Sequence, residues 1–475
     1  MTAQPTNAET NDRLVTFQNG QDREGRGQLL RLSRHAVSFE VYGADGVLRT
    51  SQALQSFKVF AREQVVYAGR AVVRDLVNAG SALVCEADLD DFGFDADYFS
   101  SVAQPDRLGA RFDDFVREWQ QVCQVRPEFK VAVADIQTFL MDLRRWVEHV
   151  ELGLRSAPAS ERGPRENEAI EKLRASVVSM LDHLFSKFEE AASALDSESQ
   201  PRHRSYAQRL LHPIVLCAPF ADRTYQKPLG YAGDYEMVNM ILRDPKEGAS
   251  LFAKLLNVWL LAQKSAAAHR HRLEFLRGRL TQEALRALRQ RQPLRILNLG
   301  CGPAGEVQKF LAEGSLADHA RFALLDFNDE TIQYTARVLG EICRQHGRRT
   351  RVEVLKKSVQ QVLKESTRRL KGAEAGYDFV YCSGLFDYLS DRTCKQLMNL
   401  FWSWTRPGGL VLATNVTPHS PNRRSLDLLL DWHLIYRDAP RFATFAPDGA
   451  APDGVRLYSD DTGVNIILEA RKPDA

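Results

Sequence analysis

From Leu14 to about Asp91, apolar and polar residues alternate in short runs, QLLRL, VSFEVY, KVFAR, VVYAGRAVVRDLV and ALVCEADL, broken by turn residues at Gly43 to Gly46 and at Asn78-Ala-Gly80. Runs of period two between turns predict strands, and so many in a short span predict a small β-barrel, whose start is punctuated by Gly20, Gly25 and Gly27. Between Asp106 and Leu195 the period lengthens. Ile136, Phe139, Leu140, Leu143, Val147 and Val150 recur at helical spacing, as do Ile170, Leu173, Val177, Leu181, Leu184 and Phe188. Two long amphipathic helices are expected, with the Pro-, Ser- and charge-rich SAPASERGPREN as the loop of an antiparallel hairpin.

From Arg295 onward strand and helix patterns alternate. RILNLG is followed by a helix over Glu306 to Leu311, FALLDF by one over Asn328 to His346, VEVLKKS by one over Val359 to Leu370, and YDFVYCSGLF by one over Asp391 to Trp404 with Ser390 as N-cap. Strand LVLATNV comes after Pro407-Gly408-Gly409, then a helix over Arg424 to Tyr436, then a terminal pair, VRLYSD and VNIILEARK, joined through Asp461-Thr-Gly463. The expected fold is α/β, a doubly wound parallel sheet with an antiparallel terminal hairpin, preceded by a helical region and the barrel.

The apolar run Ile296, Leu297, Leu299 stops at Gly300, Gly302 and Gly305, as a buried strand should when it enters a tight turn and a helix. Glycine there lets backbone approach a ligand, and a helix N-terminus presents unpaired N–H groups. Asp326 ends the second strand, where a carboxylate can accept both hydroxyls of a ribose. That geometry is shared with nicotinamide enzymes. Between the helical hairpin and the sheet, Tyr225-Gln-Lys-Pro-Leu-Gly-Tyr-Ala-Gly-Asp-Tyr235 concentrates tyrosines, glycines and charge, so a loop closing over a ligand or a packed turn is expected ahead of the helical stretch Leu251 to Leu276. The basic helix Ala268 to Leu285, with His269, Arg270, His271, Arg272 and Arg277, reads as a solvated face or a lid.

Composition narrows the function. Among 475 residues, 63 Lys+Arg nearly balance 61 Asp+Glu, so no global field points to nucleic acid or an anionic membrane. Seven scattered cysteines without CxxC or His spacing argue for reduced thiols, a cytoplasmic location and no metal site. No apolar run is long enough for an integral membrane segment.

The Asn-Leu-Gly-Cys-Gly-Pro loop, the PGG turn before the fifth strand and the antiparallel end resemble the class I S-adenosylmethionine-dependent methyltransferases. That resemblance implies S-adenosyl-L-methionine as cofactor, bound by Asn298, Gly300, Gly302, Gly305, Asp326, Ser358 and Ser383. In the family an acidic residue usually occupies the place of Asn298. From about Tyr206 to Lys472, the blocks YQKPLGYAGDYEMVNM, NLGCGPAGE, YCSGLFDYLSD and LDWHLIYR are similar to bacterial methyltransferases associated with 3-hydroxypalmitic acid methyl ester synthesis. The implied function is O-methylation of the carboxyl of a 3-hydroxy fatty acid to a methyl ester signal. Tyr231, Asp387, His433 and Arg437 are the catalytic candidates, with Arg437 favoured to grip the acid. Tyr225, Tyr235, Tyr388, Trp432 and Tyr436 are candidates for holding the acyl substrate. Methylation of another small molecule, a nicotinamide oxidoreductase and a catalytically inactive regulatory protein are the competing readings.

The strand order and LSRHAVSFEVY at the N-terminal end resemble a PilZ-type domain, which in other proteins binds cyclic di-GMP through an RxxxR pair and a D/N-x-S-x-x-G turn. Here Arg23 and Arg26 are three apart, Arg31 stands where Asp or Asn is wanted, Ser33 is kept and Ala36 replaces glycine. Cyclic di-GMP is therefore not expected to bind, and the barrel or the helical region serves docking or a homodimer. The expected division is a disordered tail (1–13), the PilZ-like barrel (14–104), the helical hairpin region (105–204), a helical lid or substrate region (205–292) and the methyltransferase domain (293–475).

Overall fold

The computed structural model describes residues 13–18, 24–42, 48–61, 64–78, 82–90, four positions between 113 and 120, 124–365 and 376–474. The N-terminal tail, Arg23, the turn at 43–46 and most of the turn at 78–80 lie outside the described residues. The described residues form two compact units, the first from the chain up to 232 with 247–257 and 424–433, the second from 233–246, 258–423 and 434–475.

In the first unit, β1 (Arg13–Gln18), β2 (Glu24–Leu32), β3 (Ala36–Tyr42), β4 (Ala53–Ala61), β5 (Gln64–Asn78) and β6 (Ala82–Leu89) close a barrel in the order β1-β2-β3-β6-β5-β4. All its pairings are antiparallel. Alternation sends Val15, Phe17, Phe39, Phe57, Val59 and Tyr67 inward, where the rings of Phe17, Phe39 and Phe57 lie 5.6 to 6.4 Å apart between centroids. Gly25 and Gly27 do not precede the barrel; they lie inside β2. A Cβ on Gly25 would come within 2.3 Å of the Phe17 ring, so the glycine makes room for a core aromatic.

The helical hairpin is α1 (Pro127–Arg155) and α2 (Ala159–Ser193), followed by α3 (Gln200–Val215) and α4 (Pro219–Gln226). Phe129, near the start of α1, meets Phe188, near the end of α2, at 5.1 Å between centroids, which makes the pair antiparallel. The connection is shorter than expected, only 156–158. The rest of SAPASERGPREN is helical despite Pro164, which falls in exposed early turns where water can satisfy the freed carbonyl.

A second difference concerns the expected helix over Arg424 to Tyr436. The helix α12 (Arg423–Leu429) stops early, and Asp431 takes a left-handed conformation with φ 49°. Its carboxylate is wholly buried and accepts Arg204 Nε at 2.5 Å, Arg204 Nη2 at 2.6 Å and Gln208 Nε2 at 2.8 Å, all within the first unit. A continuing helix would carry that carboxylate away from Arg204, so the bidentate pair outweighs helix propensity.

The second unit follows the expected alternation: β7 (Leu294–Leu299), α8 (Gly305–Glu313), β8 (Ala320–Asp326), α9 (Asp329–Gln345), β9 (Arg351–Lys356), α10 (Val359–Glu365), β10 (Tyr377–Cys382), α11 (Asp391–Trp404), β11 (Thr405–Val416), α13 (Ala439–Ala443), β12 (Val455–Ser459) and β13 (Asn465–Arg471). Helix α5 (Tyr235–Leu242) and the basic α7 (Lys264–Arg289) belong to the same unit, while α6 (Leu251–Ala262) is divided between the two. Ser390 caps α11 by accepting Thr393 N at 3.3 Å, as its sequence position predicts. The sheet runs β12-β13-β11-β10-β7-β8-β9, with β13 antiparallel to both neighbours. It is the expected Rossmann-like α/β sheet with an antiparallel terminal hairpin. Two apolar layers flank it, one including Leu276, Leu280, Val307 and Phe310, the other Leu397, Met398, Phe401 and Phe442.

Candidate functional site

Strand order reverses at β7, whose neighbours β10 and β8 lead outward in opposite directions, so the carboxyl ends of these strands frame the crevice where such sheets take ligands. Gly300 and Gly302 enter the left-handed region at φ 73° and 51°. Gly300 N and Cys301 N donate to Leu325 O at 2.8 and 3.1 Å, and Gly302 N donates to Asp326 Oδ2 at 3.1 Å, which ties the loop to the end of β8. Nothing lies within 4 Å of where a Cβ on Gly302 would sit. Gly305 differs: its missing Cβ leaves space for Leu273 at 2.6 Å and Leu242 at 3.1 Å, so it packs two helices onto α8 rather than facing a ligand.

Asp326 is buried and its Oδ1 accepts Phe327 N at 2.7 Å and Asn328 N at 3.1 Å, which orients the carboxylate towards the loop. Asn298, at the end of β7, is buried too; its Nδ2 donates to Glu306 Oε1 at 3.2 Å, while its Oδ1 has no hydrogen-bond partner among the described residues. Glu306, in the first turn of α8, also accepts the Tyr381 hydroxyl at 2.6 Å. Burial raises the Glu306 carboxyl above the usual range, and the Tyr381 hydrogen bond opposes this. The open glycine loop, the oriented Asp326 and the orphaned Asn298 oxygen fit an adenosyl ligand that carries a cationic amine.

Around β10, Ser383 approaches Thr414 Oγ1 at 3.4 Å and Asp387 is buried with Oδ1 accepting Val416 N at 2.7 Å. Burial pushes the Asp387 carboxyl up to about 6, against the opposing Arg272 charge. Asp387 thereby ties the segment after β10 to the end of β11. Ser358 does cap a helix: its Oγ accepts Gln361 N at 3.3 Å and its N–H meets Gln361 Oε1 at 2.8 Å, the reciprocal capping arrangement.

Several expected site residues are placed otherwise. Arg437 is fully buried and donates from Nε and Nη2 to Asp391 Oδ1 at 3.0 and 2.9 Å, from Nη1 to Phe386 O and Asn415 Oδ1 at 2.8 and 2.6 Å, and from Nη2 to Leu389 O. With all five donors engaged inside the second unit, it braces the segment after β10 and cannot grip an acid. His433 lies in the first unit, with Nε2 3.3 Å from Asp88 Oδ2 and Nδ1 3.6 Å from Asp427 Oδ1. Burial disfavours its charge, but the two acids outweigh that and raise it to about 9, so it is a protonated structural group rather than a base.

The aromatic candidates divide between the units. In the first, Tyr225 lies under the Arg70 guanidinium at 4.7 Å, Tyr231 bridges to Gln52, and buried Trp432 donates from its backbone to Leu426 O at 2.9 Å. In the second, Tyr235 donates to Glu330 Oε1 at 2.7 Å and its ring meets Tyr334, while Tyr436 packs under Arg423 at 4.2 Å. Because α12 ends at Leu429, Trp432 and Tyr436 share no helix face. Tyr388 ends the short 3-10 turn Phe386–Tyr388. The Tyr-rich block is part helix and part loop: α4 ends on left-handed Lys227, and Asp234 caps α5 by accepting Met237 N at 2.8 Å.

Sequence reasoning missed three groups at the strand ends: Glu306, Tyr381 and Arg272. Glu306 follows the glycine loop directly and was visible as its acidic neighbour, whereas Tyr381 hides within an apolar strand pattern and Arg272 within a run of basic residues on α7.

No protein-family model matches the chain, and no curated protein matches its sequence. Among solved structures, a possible exported protein from Bordetella parapertussis is 17% identical, with 67% of this chain and 99% of that one covered and a TM-score of 0.41. Magnesium protoporphyrin IX methyltransferase (ChlM) from Synechocystis PCC 6803 with bound SAH is 11% identical over 53% of this chain and 97% of that one, with a TM-score of 0.35. N-methyltransferase NodS from Bradyrhizobium japonicum WM9 is 14% identical over 42% of this chain and 98% of that one, with a TM-score of 0.27. At such values these likenesses carry no weight for function, which rests on the geometry of the second unit.

Proposed function

We propose that the second unit is an S-adenosylmethionine-dependent methyltransferase that esterifies the carboxyl of a 3-hydroxy fatty acid or a close relative. The observation that carries the first part is the sheet order, in which reversed β13 lies between β11 and β12, combined with the open loop at Gly302 and the carboxylate of Asp326 at the end of β8. A nicotinamide-binding sheet of the doubly wound kind continues in parallel order instead. Asp326 would take the ribose hydroxyls, Gly300 and Gly302 would let the backbone approach, and Ser383 would border the methionine end. Ser358 is engaged as a cap and would reach adenine only by giving up that role. The cofactor, when bound, supplies a sulfonium methyl group.

The acceptor assignment is supported by the chemistry this site does not need. A carboxylate is already a nucleophile, so the chain has to provide alignment and exclusion of water rather than a strong base. With Arg437 and His433 engaged elsewhere, Asp387 and Tyr388 remain the acceptor-side residues of the second unit. The test has two stages. Equilibrium binding of labelled S-adenosylmethionine, NADH and cyclic di-GMP to the full chain should show the first alone. Incubation with labelled cofactor and a panel of fatty acids, phenols and amines should then give alkali-labile label; stable label on an amine or phenol would refute the carboxyl acceptor, and binding of NADH alone would refute the methyltransferase.

A further inference from the structure

Arg272 projects from α7 to the end of β10 in the second unit. Its Nη2 lies 3.1 Å from where a Cβ on Gly384 would sit, so glycine at that turn, held at φ 85°, is what lets the guanidinium lie over the strand end. Among the described residues its one hydrogen bond is a long one, from Nη1 to Asn465 Oδ1 at 3.3 Å. The nearby acids are engaged elsewhere, Asp387 with Val416 N and Glu306 with Tyr381 and Asn298. Burial opposes the charge of Arg272 more than Asp387, Tyr388, Glu306 and Asp460 support it, so its environment leaves the cation short of negative partners. Five donors in a rigid fork with one weak acceptor are matched to a carboxylate.

The opposite need exists across the same strand ends. Among the described residues Asn298 Oδ1 is a buried acceptor with no donor, adjacent to the buried Glu306 carboxyl, and an unmatched buried acceptor is unfavourable until a donor arrives. An ammonium group has three donors and a positive charge, which suits an amide oxygen and a carboxylate together.

We propose that Glu306 with Asn298 Oδ1 forms the ammonium pole, and Arg272 the carboxylate pole, of a receptor for the amino-acid end of the cofactor. The acid thus comes from the first turn of α8, in place of the strand end, where Asn298 stands. The inference rests on the methyltransferase reading, and it makes these residues specificity determinants: they distinguish a full cofactor from adenosyl thioethers that lack the amino acid.

The experiment measures calorimetric affinities of the full chain for S-adenosylhomocysteine and for 5′-methylthioadenosine, which keeps the adenosine and the sulfur but has no amino-acid end. Glu306→Gln and Arg272→Met should each weaken S-adenosylhomocysteine by about 10- to 100-fold, the range for hydrogen bonds to charged groups. Binding of 5′-methylthioadenosine should stay within about 3-fold of the unsubstituted chain, roughly the effect of one weak contact. An analogue lacking only the amino group should no longer respond to Glu306→Gln, and one lacking only the carboxylate should no longer respond to Arg272→Met. Equal weakening of both ligands would show that the residues only support the fold, and overturn the receptor. Unchanged S-adenosylhomocysteine affinity would also overturn it; if Arg272→Met instead lost only fatty-acid binding, the guanidinium would belong to the acceptor. Failure of the unsubstituted chain to bind either adenosyl ligand would refute the cofactor reading itself.

Discussion

His433 offers a pH test that separates a structural imidazolium from a catalytic base. Its ring is held between Asp88 at 3.3 Å and Asp427 at 3.6 Å, and Asp88 is also paired with Arg74 at 3.1 Å, so the site is a chain of alternating charges in the first unit. Burial disfavours the imidazolium, the two carboxylates favour it more strongly, and the folded group titrates at about 9 against 6.5 when unfolded. The folded state therefore holds the proton more tightly. Its contribution is fully present below about pH 6.5, declines as pH rises through the interval, and is gone above about pH 9, a loss of about 3 kcal/mol at 1.36 kcal/mol for each unit. Urea unfolding of the full chain at pH 6 and pH 9.5 should show this loss, and His433→Gln should remove most of the difference. The imidazole proton resonance gives the folded titration directly. A ring that titrates at or below 6.5, or an unchanged pH slope in His433→Gln, would refute the reasoning and return His433 to the candidates for proton transfer.

Four other outcomes are expected. Gly302→Val should abolish S-adenosylmethionine binding by calorimetry, because φ 51° is strained for a branched residue and the side chain would enter the open space beside the loop. Asp326→Ala should weaken binding by about 2–3 kcal/mol through the lost ribose hydrogen bonds to a charged group, and normal affinity would sink its assignment. Arg437→Ala should lower thermal stability rather than turnover alone, since the Leu389 carbonyl and Asn415 Oδ1 lose a charged donor at about 1–3 kcal/mol for each buried group, while the Phe386 carbonyl keeps the Leu389 N–H; a folded, equally stable variant with impaired catalysis would restore the acid-gripping role. Asp431→Asn takes the bidentate carboxylate from buried Arg204, leaving it Asp88 at 3.9 Å and Asp90 at 3.8 Å, and should cost about 3 kcal/mol in denaturant unfolding of the first unit, the lower end of the penalty for breaking a buried pair; a midpoint unchanged from the parent chain would show that the pair contributes nothing.

What the sequence determined by itself is local and periodic. Alternation placed the barrel strands, helical spacing placed α1 and α2, the glycine run after Leu299 placed the loop, and Ser390 marked the start of α11, because each signal acts over a few neighbouring residues. Asp326 was legible for the same reason, standing at the end of a strand whose limits the pattern defines. Tertiary structure decided what depends on partners far along the chain. Asp431 ends α12 because Arg204, 227 residues away, holds its carboxylate. Arg437 and His433 have side chains suited to chemistry, yet long-range contacts engage one with Asp391 and Asn415 and the other with Asp88 and Asp427. Conversely, Glu306, Asn298 and Arg272 gain chemical meaning only when strand order brings β7, β10 and the end of α7 together. A side chain's type states what it is able to bind, but which of its donors and acceptors remain open is set by neighbours that sequence spacing does not reveal.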